Sequence, residues 1–321
     1  MKAVTEFDLS VIIVNFNTAD ELRTCIQSVK KHTKEIRYEI IVVDNNSKDH
    51  SKAILESEFP DVTSYFLQYN SGFSIGNNYA MERSNSKYIL LLNPDTALTE
   101  NSFLQMYKFL ENNNAAGAVG PVVKDIHGNF RLTIRNFPSL KLHLAEALNI
   151  KSLIKRFSLT KKQYAMIASE KSFEVDWISG GSFMVRRSIF NDIGGLDERF
   201  HLFAEDLDWC IRIKKSGWKV FCLPKIKIIH IGGVSTHKNY FILVSNRYRS
   251  KLIFAQKYSN RSELFILRVL VLLGLLLRLF ISIFKRYSGE NEKQERMKAY
   301  LASFFIWLGI KKMLSRERLQ N

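Results

Sequence analysis

Cysteine is scarce in this 321-residue chain, and the three that occur, Cys25, Cys210 and Cys222, form neither a CxxC pair nor a disulfide-framework spacing. Such usage fits a reducing compartment. The N-terminus lacks a basic region followed by an apolar core of about 7 to 15 residues and a cleavage site. Leu9–Val14 is too short for that and leads straight into Asn15-Phe16-Asn17, so the protein reads as cytosolic-facing. No GxGxxG follows the first apolar run, which removes the dinucleotide fingerprint where it would be expected. Acidic residues are missing altogether between Asp208 and Glu263, a stretch that holds twelve Lys and Arg, within a formal net charge of +16. That field suits phosphates, anionic lipid or nucleic acid. The basic stretch runs directly into Leu264–Phe284, the most apolar segment of the chain, and this adjacency favours an anionic membrane surface.

What is present begins with alternating signals. The length allows about two domains, or one with appendages. Ser10–Val14, Ile40–Val43 and Ile89–Leu92 are apolar runs of strand length without helical periodicity, as in strands covered on both faces. Between them, residues 20–32 place Leu22, Ile26 and Val29 at helical spacing, and residues 101–110 place Phe103, Leu104, Tyr107 and Leu110 likewise. This βαβ pattern predicts a parallel sheet. Acid- or amide-rich clusters sit at strand ends or ahead of a helical stretch: Asp44-Asn45-Asn46-Ser47, Asn93-Pro94-Asp95 and Glu205-Asp206-Leu207-Asp208. In open α/β sheets ligands bind outside the carboxyl ends of the strands, so these clusters read as site residues of an enzyme handling a nucleotide-linked substrate.

From 121 to 172 the pattern loosens into a basic stretch that suits an insertion. Order returns at Val175–Arg186, where Trp177 and the paired Gly180-Gly181 ahead of Ser182 combine a strand with a bend that lets backbone approach a ligand. The expected divisions are 1–120 and 121–257 as two halves of one domain, and 258–321 as basic amphipathic helices.

In order along the chain stand Ser10–Asn17, Val42–Ser47, Asn70-Ser71-Gly72-Phe73 with Gly76-Asn77-Asn78, Asn93-Pro94-Asp95, Gly180-Gly181-Ser182, Gly195-Leu196-Asp197-Glu198 and Phe203–Trp209. With this ordered set, covering about residues 9 to 235, the chain resembles family 2 glycosyltransferases of the GT-A fold, and in detail the bacterial rhamnosyltransferase-type members. The resemblance implies a Rossmann-like, mixed and mainly parallel sheet flanked by helices. It implies an inverting transfer of a sugar, first of all rhamnose from dTDP-rhamnose, to a glycan or polyprenyl-linked acceptor in O-antigen or other surface polysaccharide synthesis. A UDP-hexose or furanose donor is the alternative within the fold.

The residue roles follow from the same resemblance. Asp44 recognises the base through its N3–H, with Val14, Asn15, Asn17, Asn46, Asn70, Gly72 and Asn93 beside the donor; a helix N-cap is the other reading of Asp44 or Ser47. Asp95, with His230, holds a divalent metal, Mn2+ or Mg2+, that offsets charge on the diphosphate leaving group. The family's usual Asp-x-Asp is Asn93-Pro94-Asp95 here, which also fits a turn ending a strand. Asp206 is the general base, with Glu205 beside it raising its pKa. Gly180, Gly181, Ser182, Trp177 and Asp208 face the acceptor, although Asp208 also fits a plain acidic first helical turn. Ser235, Thr236 and Lys238 lie where phosphate could be met.

Leu264–Phe284 is long enough to cross a bilayer but contains Arg268 and Arg278. At 100° per residue, Arg261, Arg268, Arg278, Ser282, Lys285 and Arg286 share about one third of the circumference. This predicts a helix lying in the interface with its cations at the head groups, at the cytoplasmic face of the membrane. A second apolar segment, 300–310, is flanked by Lys298, Lys311 and Lys312. A helical pair packed on the enzyme is the plain alternative. Nucleic-acid binding would use the basic stretch but leaves the strand-end acids without a purpose, and nucleic acid is not expected as a partner.

Overall fold

The computed structural model describes residues 6–130, 133–148, 150, 153–154, 161–231, 240–285, 287 and 290–309. Its first strand, β1 (Phe7–Asn15), buries Leu9, Val11, Ile12 and Ile13 completely, as a strand covered on both faces must. The helix after it, α1 (Ala19–His32), has Asp20 and Glu21 in its first turn and Lys30, Lys31 and His32 in its last, charges that complement the helix dipole. It buries Leu22, Ile26 and Val29, the residues whose spacing predicts it. Then come β2 (Tyr38–Asp44), α2 (Ser51–Glu58), β3 (Thr63–Phe66), α3 (Phe73–Arg83), β4 (Ser86–Leu92), β5 (Thr96–Leu98), α4 (Ser102–Asn112) and β6 (Ala116–Asp125).

The remaining elements are β7 (Ile134–Arg135), α5 (Leu140–Ala147), α6 (Lys161–Ala168), β8 (Phe173–Val175), β9 (Trp177–Ile178), β10 (Ser182–Arg186), α7 (Arg187–Ile193), α8 (Glu205–Lys215), β11 (Lys219–His230), α9 (Tyr240–Tyr258), α10 (Arg261–Phe284) and α11 (Glu290–Leu308). The main sheet runs β3-β2-β1-β4-β10-β6-β11-β5, with β8 also on β11. Strands β3, β2, β1 and β4 are mutually parallel, and β6 is parallel to β11. Strand β10 is antiparallel to both neighbours, β4 and β6, so the sheet is mixed and mainly parallel as expected. The β6–β11 register slips between Leu223 and Lys227, around Pro224, which has no N–H to give to the ladder. The three cysteines are free and buried. Burial pushes the Cys25 and Cys222 thiols up to about 12, so they behave as small core residues.

The chain divides into two compact units. One comprises 1–136, 161–198 and 205–234, and the other 137–160, 199–204 and 235–321. The stretch from 121 to 172 contributes α5 to the second unit and β7 to the first.

In the second unit α10 starts three residues before the apolar run. There Asn260 Oδ1 accepts the Glu263 N–H at 2.9 Å and Glu263 Oε2 accepts the Asn260 N–H at 3.1 Å, a capping box. Leu267, Val271 and Leu275 pack with Ala255 and Trp307, whose indole donates to the Tyr248 carbonyl at 2.9 Å. The polar stripe of α10 does not face outward as predicted. Arg278 donates to the Glu146 carbonyl at 2.5 Å, the Ala147 carbonyl at 3.3 Å and the Gly274 carbonyl at 2.9 Å, and Ser282 is buried. Gly274 permits this, because a Cβ there would lie 3.0 Å from both Cα and O of Ala147. Arg261 and Lys285 at the helix ends are exposed, and Arg286 lies outside the described residues, as do Lys311 and Lys312.

In the first unit, Asn78 ties α3 to the turn after α7. Its Oδ1 accepts the Leu196 N–H at 2.8 Å, and its Nδ2 donates to the Leu196 carbonyl at 2.8 Å and to Glu198 Oε1 at 3.0 Å. A methyl on Gly195 would collide with the Asn78 amide, which explains both the Gly76-Asn77-Asn78 and the Gly195–Glu198 segments as packing partners. Asn78→Ala strands two buried backbone groups at about 1–3 kcal/mol each. Calorimetry should show a Tm lower by several degrees; an unchanged Tm would mean that this amide carries no stability.

Candidate active site

The first group of site residues stands at the ends of β1 and β2, where the register pairs Asn15 with Asp44. Asp44 Oδ1 accepts the Ser47 N–H at 2.8 Å, closing a turn, and Oδ2 accepts from Asn15 Nδ2 at 2.8 Å. Each oxygen retains a second lone pair. Asn15 itself is fully buried and also reaches Ser47, Ser51 and Thr18. Its side chain therefore orients Asp44. Val14 likewise packs beneath Gly76, where a Cβ would come within 2.9 Å of its Cγ1. Asn17 and Asn46 adopt left-handed backbone at φ 54 and 63, and Asn17 Oδ1 accepts the Lys48 N–H at 2.7 Å. These two asparagines shape the loop around Asp44.

Asn45, part of the strand-end cluster but given no role of its own there, is the anchor of the loop beyond. Its Nδ2 donates to the Gly72 carbonyl at 3.1 Å and its Oδ1 accepts the Ser71 hydroxyl at 2.8 Å, while Asn70 Oδ1 accepts the Gly72 N–H at 3.0 Å. Gly72 has φ 88, a conformation that favours glycine. A buried amide directly after the strand-end acid is the signal that could have singled out Asn45.

The second group forms where β10 lies on β4. Ser182 pairs with Leu92, which sets the Asn93 N–H on the Gly181 carbonyl at 3.1 Å. A Cβ on Gly181 would sit 3.3 Å from Asn93 Nδ2, so glycine keeps the two turns in contact. One residue earlier, the Gly180 N–H donates to Asp206 Oδ2 at 2.9 Å, and the Leu207 N–H donates to Oδ1 at 2.7 Å. On the far side of Asn93, β11 pairs His230 with Thr96 of β5. His230 Nδ1 consequently stands 3.4 Å from Asp95 Oδ2, and the Ile231 N–H donates to the Asp95 carbonyl at 2.8 Å. Asp95, Asn93, Gly181, Gly180 and Asp206 are therefore linked neighbour to neighbour. Ser182 is buried, and Trp177 gives its indole N–H to the Asn136 carbonyl at 3.2 Å.

Burial pushes the Asp206 carboxyl above its usual range, although the Gly180 and Leu207 donors and the nearby Arg135 cation pull the other way. Arg135 reaches this neighbourhood on the β7–β9 ribbon, opposite Trp177. Nothing in the basic stretch before 172 marked it, since ribbon pairing is a long-range event. Burial, then the charge of Asp206, pushes Glu205 well above its ordinary value, and Glu205 Oε2 has no hydrogen-bond partner among the described residues. Asp208, expected on the acceptor side, is fully buried, and its carboxylate accepts from Arg212 Nε at 2.8 Å. Arg212 in turn holds the carbonyls of Ile193 and Gly195, so Asp208 braces α8 against the turn after α7. Ser235, Thr236 and Lys238 lie outside the described residues.

The model of glycosyl transferase family 2 matches residues 10–194 of this chain. The chain belongs to that family. It is a glycosyltransferase with a GT-A fold. Among its relatives is the N-acetylglucosaminyl-diphospho-decaprenol L-rhamnosyltransferase of Mycobacterium tuberculosis, 24% identical over 265 residues, covering 78% of this chain and 85% of that protein. Rhamnosyltransferase WbbL of Escherichia coli is 26% identical over 228 residues, covering 68% and 82% respectively. Among solved structures, mannosyltransferase PcManGT from Pyrobaculum calidifontis, in complex with GDP-Man and Mn2+, matches with a TM-score of 0.55 at 13% identity over 96% of this chain and 89% of that one.

In the glycosyltransferase, among the described residues, no three His, Cys, Asp or Glu side chains converge as a complete metal cage. Asp95 and His230 nevertheless offer a hard oxygen and an imidazole nitrogen side by side, both largely buried. Such a pair fits a cation that takes its other ligands from a bound diphosphate.

The raised Glu205 carboxyl has a consequence for stability. Between its ordinary value of 4.5 and its folded value, the native state keeps a proton that the unfolded state has lost, so stability falls as pH rises through that window. Glu205→Gln removes this loss. Its Tm relative to wild type should climb as pH rises above the ordinary value of 4.5, and a constant difference across thermal scans would refute the assignment.

Proposed function

We propose that this enzyme moves a rhamnosyl group from dTDP-rhamnose to a hydroxyl of a lipid-linked glycan, with inversion at the anomeric carbon, at the cytoplasmic face of the membrane. The observation that carries the reading is the chain of contacts from Asp95 through Asn93 and Gly181 to Asp206, which sets a carboxylate of raised basicity beside the place for a diphosphate. The rhamnosyl and lipid-linked parts rest on the names of the two curated relatives, one of which acts on a decaprenol-linked sugar.

In this reading the strand-end carboxylate of Asp44 takes the N3–H of the base, and the loop at Asn70–Gly72 lies over the nucleoside. Asp95 and His230 would hold a divalent cation, Mn2+ or Mg2+, which supplies charge neutralisation for the departing diphosphate; the Mn2+ of the mannosyltransferase complex supports this. Asp206, kept in orientation by the Gly180 and Leu207 N–H groups, accepts the proton of the acceptor hydroxyl. The hydroxyl oxygen then bonds to the anomeric carbon from the face opposite the leaving group, and the nucleoside diphosphate departs with the bonding electron pair. Gly180 and Gly181 leave no side chain in the way. Burial and the charge of Asp206 push the Glu205 carboxyl well above its ordinary value, which disfavours a second negative charge beside the base.

Asp206→Asn should lower transfer by about two to four orders of magnitude while nucleoside-diphosphate affinity stays within a few-fold of wild type. Near-wild-type transfer by that variant, in a radiolabelled-donor assay, would move the base elsewhere.

Asp95→Ala, or excess chelator, should abolish turnover and weaken dTDP binding measured by calorimetry. Full activity under chelation would leave basic side chains as the neutralising groups.

A further inference from the structure

The sequence leads one to expect a helix 261–284 that offers its cations to lipid head groups. The second compact unit has the helix the other way round. From 264 to 284 every exposed side chain of α10 is apolar, ten in all, among them Phe265, Leu273, Leu276, Phe280, Ile283 and Phe284. Of the two charges within this span, Arg268 is half-buried with its Nε out of solvent, and Arg278 is fixed on the carbonyls of Glu146 and Ala147 in α5. Phe265 and Phe284, near the two ends of the helix, are 69% and 72% exposed. About 30 Å of helix is covered by this face. A soluble protein rarely leaves a contiguous apolar patch of that extent uncovered.

Charge says what covers it. Residues 235–321 contain 17 Lys and Arg against 5 Asp and Glu, so a second copy of this chain is repelled by the unit that carries the face, whereas an anionic bilayer is attracted to it. The exposed cations at the helix ends, Arg261 and Lys285, stand where head groups would meet a helix lying flat. Helix α10 is long and apolar enough to cross a membrane. Crossing would carry its packing partners into hydrocarbon with it, and the α9 helix alone bears Arg247, Arg249, Lys251 and Lys257.

We infer that the outward face of α10 is a monotopic membrane-docking surface that inserts its apolar side chains in the plane of an anionic bilayer, holding the enzyme at its substrate's surface without a transmembrane span. This deepens the reading of an enzyme acting at a membrane and rests on it. The test is flotation of the purified full chain with vesicles of phosphatidylcholine alone or with phosphatidylglycerol, comparing wild type with Leu273→Glu/Phe280→Glu, two exposed positions whose replacement leaves the packed face intact. Circular dichroism and dTDP binding report folding of the variant.

Wild type should float with the anionic vesicles and largely stay bound in 1 M salt, and the double variant should lose at least about tenfold in bound fraction while keeping dTDP affinity. If both proteins float equally, membrane action stands but this face is not its surface. If wild type stays with the soluble fraction as a dimer that the variant splits, a second copy is the occupant and the proposal falls. If wild type is soluble and monomeric without lipid, the membrane reading falls with it.

Discussion

The antiparallel seating of β10 between β4 and β6 is the constraint on which the catalytic geometry depends. A single ladder hydrogen bond past the end of that pairing, from the Asn93 N–H to the Gly181 carbonyl, joins a turn of the first half of the chain to a glycine pair some ninety residues later. Because the side-chain period of a strand is two, a slip of one residue would turn Ser182 and Phe183 to opposite faces and take the Gly180 N–H away from Asp206. Register, more than any single side chain, fixes the distance between leaving-group and acceptor functions.

Around this seam the protein separates tasks between buried amides and acids. Asn15, Asn45 and Asn78 are buried and satisfied several times over, and each locks one loop to another. An amide can do this because it offers both donors and acceptors without a charge to desolvate. Asp208 locks α8 as well, but as a carboxylate it needs the Arg212 cation to be tolerable inside. Asp206 is given backbone donors and a neighbouring cation, while burial and the charge of Asp206 push the Glu205 carboxyl well above its ordinary value. One four-residue cluster thus contains two buried carboxyls shifted upward and a structural ion pair.

The C-terminal unit follows a different economy. Its helices are held by small contacts that let polar groups turn inward, with Gly274 opening the approach of α10 to α5 and Trp307 closing the core on Tyr248. Arginine reaches backbone carbonyls there because five N–H donors can satisfy several acceptors at once. The outward face of α10 is left apolar, with the exposed cations Arg261 and Lys285 at its ends.

Local patterns by themselves determined much of this protein. The apolar runs at Ser10–Val14, Ile40–Val43 and Ile89–Leu92 and the helical spacing of Leu22, Ile26 and Val29 reflect periodicities that depend only on backbone geometry, and they specified the parallel half of the sheet. The placement of Asp44 and Asp95 at strand ends was legible for the same reason, since a strand's carboxyl end is a local property. Tertiary structure alone decided that Asn15 and Asp208 work as internal braces, that Arg135 arrives beside Asp206, and that Asn45 anchors the loop over Gly72. It also reversed α10: a helical wheel shows that arginines share a stripe, but which way the stripe faces depends on whether a partner helix offers free carbonyls closer than water or lipid can, and here α5 does.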